Sequence, residues 1–139
     1  MAVTGVFLKG NAANFVTLNG TRQQHEWVES GLERIELQKN PTQKEVSGII
    51  SNLKAFVEKN GVTAFVLNRR VTAGQMAGAA GTFIWEGLLL AASPIPLNFV
   101  HVATLRSTEK KQGELKTLKP PEEKLGQAKA YDFAFEGLK

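Results

Sequence analysis

Two apolar runs at the start of the chain predict a pair of β-strands. Residues 2–9 form the first run and residues 12–18 the second, and Gly10 and Asn11 lie between them. Glycine and asparagine favour tight turns, and Asn19-Gly20 supplies a further turn signal after the second run. The pattern therefore predicts an antiparallel hairpin.

The next segment is more polar and predicts one further strand. Residues 32–39 alternate in character, which suits a strand exposed on at least one face. Residues 21–29 are polar and are predicted to form a loop or an extended connection. The first three strands would then follow one another in antiparallel order.

A helical period of apolar residues begins after residue 42. The six apolar positions fall at offsets of 0, 3, 4, 7, 10 and 11, and they are Val46, Ile49, Ile50, Leu53, Phe56 and Val57. Thr42 and Glu45 have the spacing of a capping box, and Asn60-Gly61 is a typical helix stop. The pattern predicts the first helix here.

The second half of the chain predicts two buried strands and two more helices. Residues 62–67 and 97–102 are apolar runs of strand length, and residues 75–92 between them form an apolar helix that ends before Pro94. Residues 103–120 are predicted to be a mobile basic loop, and residues 122–137 the last helix.

This order of elements predicts an α/β protein. Three antiparallel strands, followed by two strands that are each reached through a helix, imply a mixed five-stranded sheet with helices on both faces. The order matches the ribonuclease H-like fold. Residues 1–139 show no internal repeat or shift in composition, so a single domain is expected.

Composition excludes several kinds of chemistry. The chain has 139 residues, no cysteine and two histidines, so disulfides, zinc fingers and thiol catalysis are ruled out. The net charge of +4 permits an anionic partner without requiring one. No secretory signal or membrane-spanning stretch is recognisable, and we expect a cytoplasmic protein without membrane contact.

Four short motifs carry a family resemblance. The segment GVFLKGN (residues 5–11) resembles the first strand of Holliday-junction-resolvase-type members of the ribonuclease H-like superfamily. The chain also resembles a small bacterial family of unknown function. That resemblance rests on the same opening, TAGQMAGAAG (72–81), VATLRSTEK (102–110) and a final helix that contains Gln127.

The resemblance implies a nuclease site that has lost its ligands. Active members hold divalent metal with carboxylates from the first strand, the fourth strand and the last helix. This sequence offers Phe7 at the first position, Asn68 or Arg69 at the second, and an acid, Asp132, only at the third. The resemblance therefore implies a catalytically degenerate protein without a cofactor. Magnesium would be needed only under the alternative of a weak metal-dependent nuclease.

Three acids are the candidates for residual catalysis. Asp132, the only aspartate, lies beside the apolar face of the last helix, where it either pairs with a base such as Lys9 or Arg69 or serves as a surviving ligand. Glu136 follows one turn later, and Glu86 lies within the apolar second helix. Structural roles are the simpler interpretation of all three.

Basic residues near the predicted strand ends indicate an anion-binding cleft. Ligands of open α/β sheets favour the carboxyl edge of the strands. The candidates at that edge and in the following loop are Lys9, Arg69, Arg70, Arg106, Lys110 and Lys111, with Lys116 and Lys119 extending the cleft. Nucleic acid or another polyanion would be the partner. Only Trp27 and Tyr131 offer stacking surfaces for bases.

A homodimer is the alternative from another functional class. The start of the second helix contains three glycines, Gly74, Gly78 and Gly81. Their small size could allow close packing against the sheet or against a second copy of the chain, or the approach of a phosphate to the helix N-terminus, and close packing is the simpler interpretation. The two histidines, His25 and His101, show no ligand spacing, and His101 is expected to be buried in a strand.

Overall fold

The predicted hairpin is present and lies in the middle of a mixed sheet. In the computed structural model, which describes residues 1–68 and 80–139, β1 (Ala2–Lys9) pairs antiparallel with β2 (Ala12–Gly20). Gly10 takes a φ of 60° in the turn between them, a conformation that a side chain would strain. The register places Val6 opposite Phe15.

Two short strands share the outer edge of β2, and only the second of them falls within residues 32–39, where the third strand was predicted. β3 (His25–Trp27) pairs with the end of β2, and β4 (Arg34–Glu36) pairs with its beginning. The sheet therefore has six strands where five were predicted, and β3 lies in the segment predicted as a connection. Gly31, between the two strands, takes a φ of 78° that favours glycine.

The first helix begins and ends as predicted. In α1 (Gln43–Asn60), the Thr42 side chain accepts a hydrogen bond from the Glu45 N–H at 3.1 Å, and Gly61 ends the helix with a φ of 62°. The capping box is only half formed, because the Glu45 carboxylate accepts from the Gln38 N–H. β5 (Val62–Asn68) then runs parallel to β1 and is largely buried, as predicted.

The second helix ends where it was predicted to end, whereas the last strand is shorter than predicted. α2 (Ala80–Ala92) is described from residue 80, so the start predicted at residue 75 lies outside the described residues. β6 (Leu97–Val100) runs parallel to β5 at the end of the strand order, and it is only half-buried because it pairs on one side. His101 is an exposed cap residue rather than a buried strand residue.

The segment predicted as a mobile loop contains a helix. α3 (Val102–Gln112) is followed by a 3-10 turn at Gly113–Leu115, and this order contradicts the loop predicted over residues 103–120. Within this helix only Thr108 is buried, so packing against the core contributes little to its formation. Residues 102–112 contain no glycine or proline, and their intrinsic propensity therefore allows a helix. A 3-10 turn at Glu122–Lys124 leads into α4 (Leu125–Gly137), close to the predicted last helix.

Two separate apolar clusters cover the two faces of the sheet. Residues of α1 and α2 pack on one face with Val6, Phe15 and Phe65, and α4 packs on the other with Val3 and Val16. The α/β class and the placement of helices on both faces are as predicted. No helix within residues 1–68 and 80–139 is long and apolar enough to cross a membrane.

Candidate functional site

A cleft of about 390 Å³ opens at the carboxyl ends of β1 and β5, between α3 and α4. Phe7 of β1 and Asn68, the last residue of β5, contribute to its lining. The other lining residues come from the two helices and from the chain between them: Val102, Leu105, Arg106, Glu109, Lys116, Lys119, Lys129, Asp132 and Phe133. The first strand, the strand after α1 and the last helix therefore meet at one place.

Asp132 is held by two lysines in this cleft. Lys116 Nζ donates to Asp132 Oδ1 at 2.9 Å, and Lys119 Nζ lies 3.1 Å from Asp132 Oδ2. The expectation that Asp132 pairs with a base is therefore met by Lys116 and Lys119, whereas Lys9 has no described contact with it and Arg69 lies outside the described residues. The 3-10 turn after α3 places residues 116–119 next to α4. No local sequence pattern predicts this placement.

The Lys116 ammonium group is nearly buried and bridges two acids. Its side chain is 4% exposed, and Nζ also donates to Glu109 Oε2 at 2.6 Å. This hydrogen bond holds the pKa of the Glu109 carboxyl below its usual range. The ammonium lies 5.4 Å from the centre of the Phe135 ring, close enough for a cation–π contact.

The cleft does not fit a pair of divalent metal ions. Such ions need several converging carboxylate or other hard oxygen ligands. Here Phe7 is apolar, Lys129 is cationic, and both oxygens of Asp132 already contact ammonium groups. The described part of the chain contains no group of three or more His, Asp or Glu side chains that could hold a metal ion.

The other two candidate acids lie away from the cleft. The Glu136 carboxylate is 3.6 Å from the Arg22 guanidinium, which also donates to the Glu136 carbonyl at 2.8 Å. Glu86 is buried on α2, whose neighbouring core residue Trp85 belongs to the cluster on the opposite face of the sheet from α4. The structure therefore brings neither acid to Asp132.

The predicted cations are only partly brought together. Arg106 lines the cleft, and Lys116 and Lys119 extend it as predicted. Among the described residues, Lys9 is exposed at the end of β1 and Lys110 and Lys111 are exposed on α3, and none of the three lines it. Arg69 and Arg70 lie outside the described residues. So do Gly74 and Gly78 of the glycine-rich segment.

Sequence reasoning missed Lys129. It precedes Asp132 by three residues on α4, a spacing that puts the two side chains on one face of a helix. That spacing was the available signal. With Lys129, four cations and two carboxylates line the cleft.

Tyr131 does not offer a stacking surface. It is fully buried, its ring is 6.3 Å from that of Trp27, and its hydroxyl shares a 2.8 Å hydrogen bond with His25 Nε2. Burial raises the pKa of Tyr131 to about 12. The prediction that Tyr131 stacks with bases is therefore wrong, because its ring is part of the core between β3 and α4.

Comparison with solved structures establishes the fold. Thermus thermophilus RuvC in complex with a Holliday junction substrate is similar with a TM-score of 0.72 and 14% identity, over 97% of this chain and 90% of that chain. A second structure of Thermus thermophilus RuvC is similar with a TM-score of 0.71 and 13% identity, over 97% and 92% of the two chains. The ribonuclease H-like fold and the resemblance to Holliday junction resolvases are thus confirmed.

Sequence comparison places the chain in a family. No curated protein matches it in sequence. A family model described as "Protein of unknown function (DUF3010)" matches residues 1–137, and the chain therefore belongs to this family.

Proposed function

We propose that this protein binds the phosphate backbone of nucleic acid in the cleft between α3 and α4 and does not cleave it. The observation that carries the proposal is the lining of the cleft, where four cations outnumber two carboxylates at the carboxyl edge of the sheet. Ligands of open α/β sheets bind at this edge. The RuvC structure with the same fold holds a Holliday junction substrate, which supports nucleic acid over other polyanions.

The composition of the cleft argues against metal-dependent cleavage. Family resemblance places the metal-binding carboxylates of active nucleases on the first strand, the fourth strand and the last helix. By that resemblance, the corresponding positions here carry Phe7, Asn68 or Arg69, and Asp132, and Asp132 is engaged by Lys116 and Lys119. We therefore favour a protein that has lost nuclease activity. Weak metal-dependent cleavage is the alternative that the experiment below must exclude.

Binding through cations predicts a characteristic dependence on salt. Arg106 and Lys129 are exposed and line the cleft, so both are positioned to meet phosphate groups. Each phosphate contact releases condensed counterions. The logarithm of the association constant therefore falls linearly with the logarithm of the salt concentration, with a slope of about −0.9 per contact. Contacts of this kind carry little sequence information.

Fluorescence anisotropy with labelled single-stranded, duplex and four-way-junction DNA tests the proposal. We expect the double variant Arg106→Ala/Lys129→Ala to lose about tenfold in affinity and to reduce the salt slope by about 2. The matched control is Lys44→Ala/Lys54→Ala, which removes two exposed lysines from α1. Equal binding by both double variants would refute the proposal.

A parallel incubation with magnesium tests the claim of degeneracy. We expect no cleavage of any of the three DNA substrates by the wild-type protein. Magnesium-dependent cleavage that disappears in Asp132→Asn would establish the nuclease alternative instead.

A homodimer through α2 is the second candidate, because one face of this helix is apolar and exposed. Phe83, Ile84 and Leu90 are 46%, 37% and 58% exposed, and the only charged residue of α2, Glu86, is buried. A self-complementary apolar face suits a twofold symmetric pair. Light scattering over a concentration series should show a dimer that Leu90→Glu dissociates, and a monomer at every concentration would exclude it.

A further inference from the structure

The cleft contains a buried positive charge that the proposed nucleic-acid binding does not use. Lys116 is 4% exposed, so its ammonium group is poorly placed to meet a phosphate from solution. Burying a charge is costly unless it is paired and hydrogen-bonded. The pairing with Glu109 and Asp132 meets that requirement.

Local structure directs this side chain inward. The 3-10 turn at Gly113–Leu115 is closed by a 3.1 Å hydrogen bond from the Lys116 N–H to the Gly113 carbonyl, and Leu115 packs against the apolar cluster under α4. Lys116 follows Leu115 directly and extends over the Phe135 ring. Backbone and apolar packing thus determine the position of the ammonium group before its charge is considered.

We propose that the Lys116 ammonium is a built-in cation that holds Glu109 and Asp132 together in the cleft, in place of a divalent metal ion. A single atom, Nζ, lies 2.6 Å from a Glu109 oxygen and 2.9 Å from an Asp132 oxygen. One cation therefore bridges two carboxylates, as calcium or manganese does with hard oxygen ligands.

The charges of the cleft agree with this role. Lys116 and Lys119 together bring two positive charges to Asp132 and Glu109, which is the charge of one divalent ion. A metal ion entering between the two acids would meet the ammonium group at close range, and like charges at such a distance repel each other. The wild-type cleft therefore excludes divalent ions, and removal of the ammonium group creates a site for them.

Manganese binding tests the inference without nucleic acid, so its result is independent of the proposed function. Thermal unfolding is measured with 10 mM Mn²⁺ and with chelator for the wild-type protein, Lys116→Met and Lys116→Met/Asp132→Asn. Methionine keeps an unbranched apolar stem one atom shorter than that of lysine, and it removes the ammonium group with its charge and its hydrogen bonds. Lys54→Met, at an exposed position of α1, is the matched control.

We expect Mn²⁺ to raise the melting temperature of Lys116→Met and of no other protein in the set. A site of two carboxylates should bind with a dissociation constant of about 1 mM, so 10 mM Mn²⁺ raises the folding equilibrium constant about elevenfold and Tm by about 5 °C in Lys116→Met. The wild type, Lys54→Met and the double variant should shift by less than about 1 °C on the same scale. Absence of a gain in Lys116→Met would overturn the inference.

A second measurement decides the question even if Lys116→Met does not fold. Electron paramagnetic resonance of free Mn²⁺ is titrated against the wild-type protein and Asp132→Asn. Equal titrations support the built-in cation, whereas saturable wild-type binding that Asp132→Asn removes would overturn it.

Discussion

Gly5, in the middle of β1, lies directly against the backbone of α4. A Cβ atom at this position would overlap the Ala130 carbonyl oxygen and come within 2.5 Å of the Ala134 nitrogen. Both obstacles are helix backbone atoms, which cannot rotate away as a side chain can. We therefore expect Gly5→Ala to force α4 away from the sheet.

The size of the effect follows from what α4 buries. Tyr131, Ala134 and Phe135 are fully buried, so a displaced helix loses contacts along its whole inner face. Overpacking typically lowers the free energy of unfolding by about 1–3 kcal/mol. Because the obstacle here is helix backbone, we expect Gly5→Ala to lose about 3 kcal/mol. Unfolding entropy of about 2.1 cal/mol/K per residue, over 139 residues, converts this to a fall in Tm of about 10 °C.

Differential scanning calorimetry of Gly5→Ala and Gly48→Ala measures this prediction with an internal control. Gly48 lies in α1 with no atom within 4 Å of its would-be Cβ, so the same substitution should stabilise by about 0.5–1 kcal/mol. If Gly5→Ala unfolds within about 2 °C of the wild type while Gly48→Ala behaves as expected, the reasoning on the contact between β1 and α4 is refuted.

Two further predictions concern buried polar groups. Trp85→Phe should destabilise the protein by about 2 kcal/mol, because it removes the 2.9 Å indole hydrogen bond to the Asn11 carbonyl, which then keeps only the Leu37 N–H as donor, and because it opens space in the core; an unchanged urea midpoint would contradict this. Burial raises the pKa of Tyr131 in the folded protein to about 12, above the ordinary tyrosine value of about 10, so its contribution to stability is present below pH 10 and is lost as pH rises towards 12. Stability measured from pH 9 to 12 should fall less steeply in Tyr131→Phe, and parallel curves would be the contrary result.

Much of the fold could be predicted because its signals are local. The β1–β2 hairpin follows from Gly10 and Asn11, and α1 follows from its apolar period and its caps at Thr42 and Gly61. These features act over a few residues, and tertiary contacts reinforce them. The additional strand β3 was not predicted, since residues 25–27 lie in a polar segment and form a strand only through their pairing with the end of β2.

The candidate site was predicted less completely. Chain order and resemblance placed Phe7, Asn68 and Asp132 at one end of the sheet, and the cleft contains all three. The pairing of Asp132 with a base was predicted, but Lys116 and Lys119 were not identified as its partners, because the prediction of a loop after β6 left no geometry for them. α3 has a weak apolar pattern, and only its packing beside α4 gives that segment a defined position.

The sequence by itself determined the order of the elements, the hairpin, the helix caps and the presence of a single aspartate. These properties depend on residue type and on spacing along the chain. Tertiary structure decided which charged groups form ion pairs. Lys116 and Asp132 are sixteen residues apart in sequence and lie 2.9 Å apart in space. Glu136, near the end of the chain, pairs with Arg22, near its beginning. Ion pairs act over a few ångströms in space, and distance along the chain does not specify that separation.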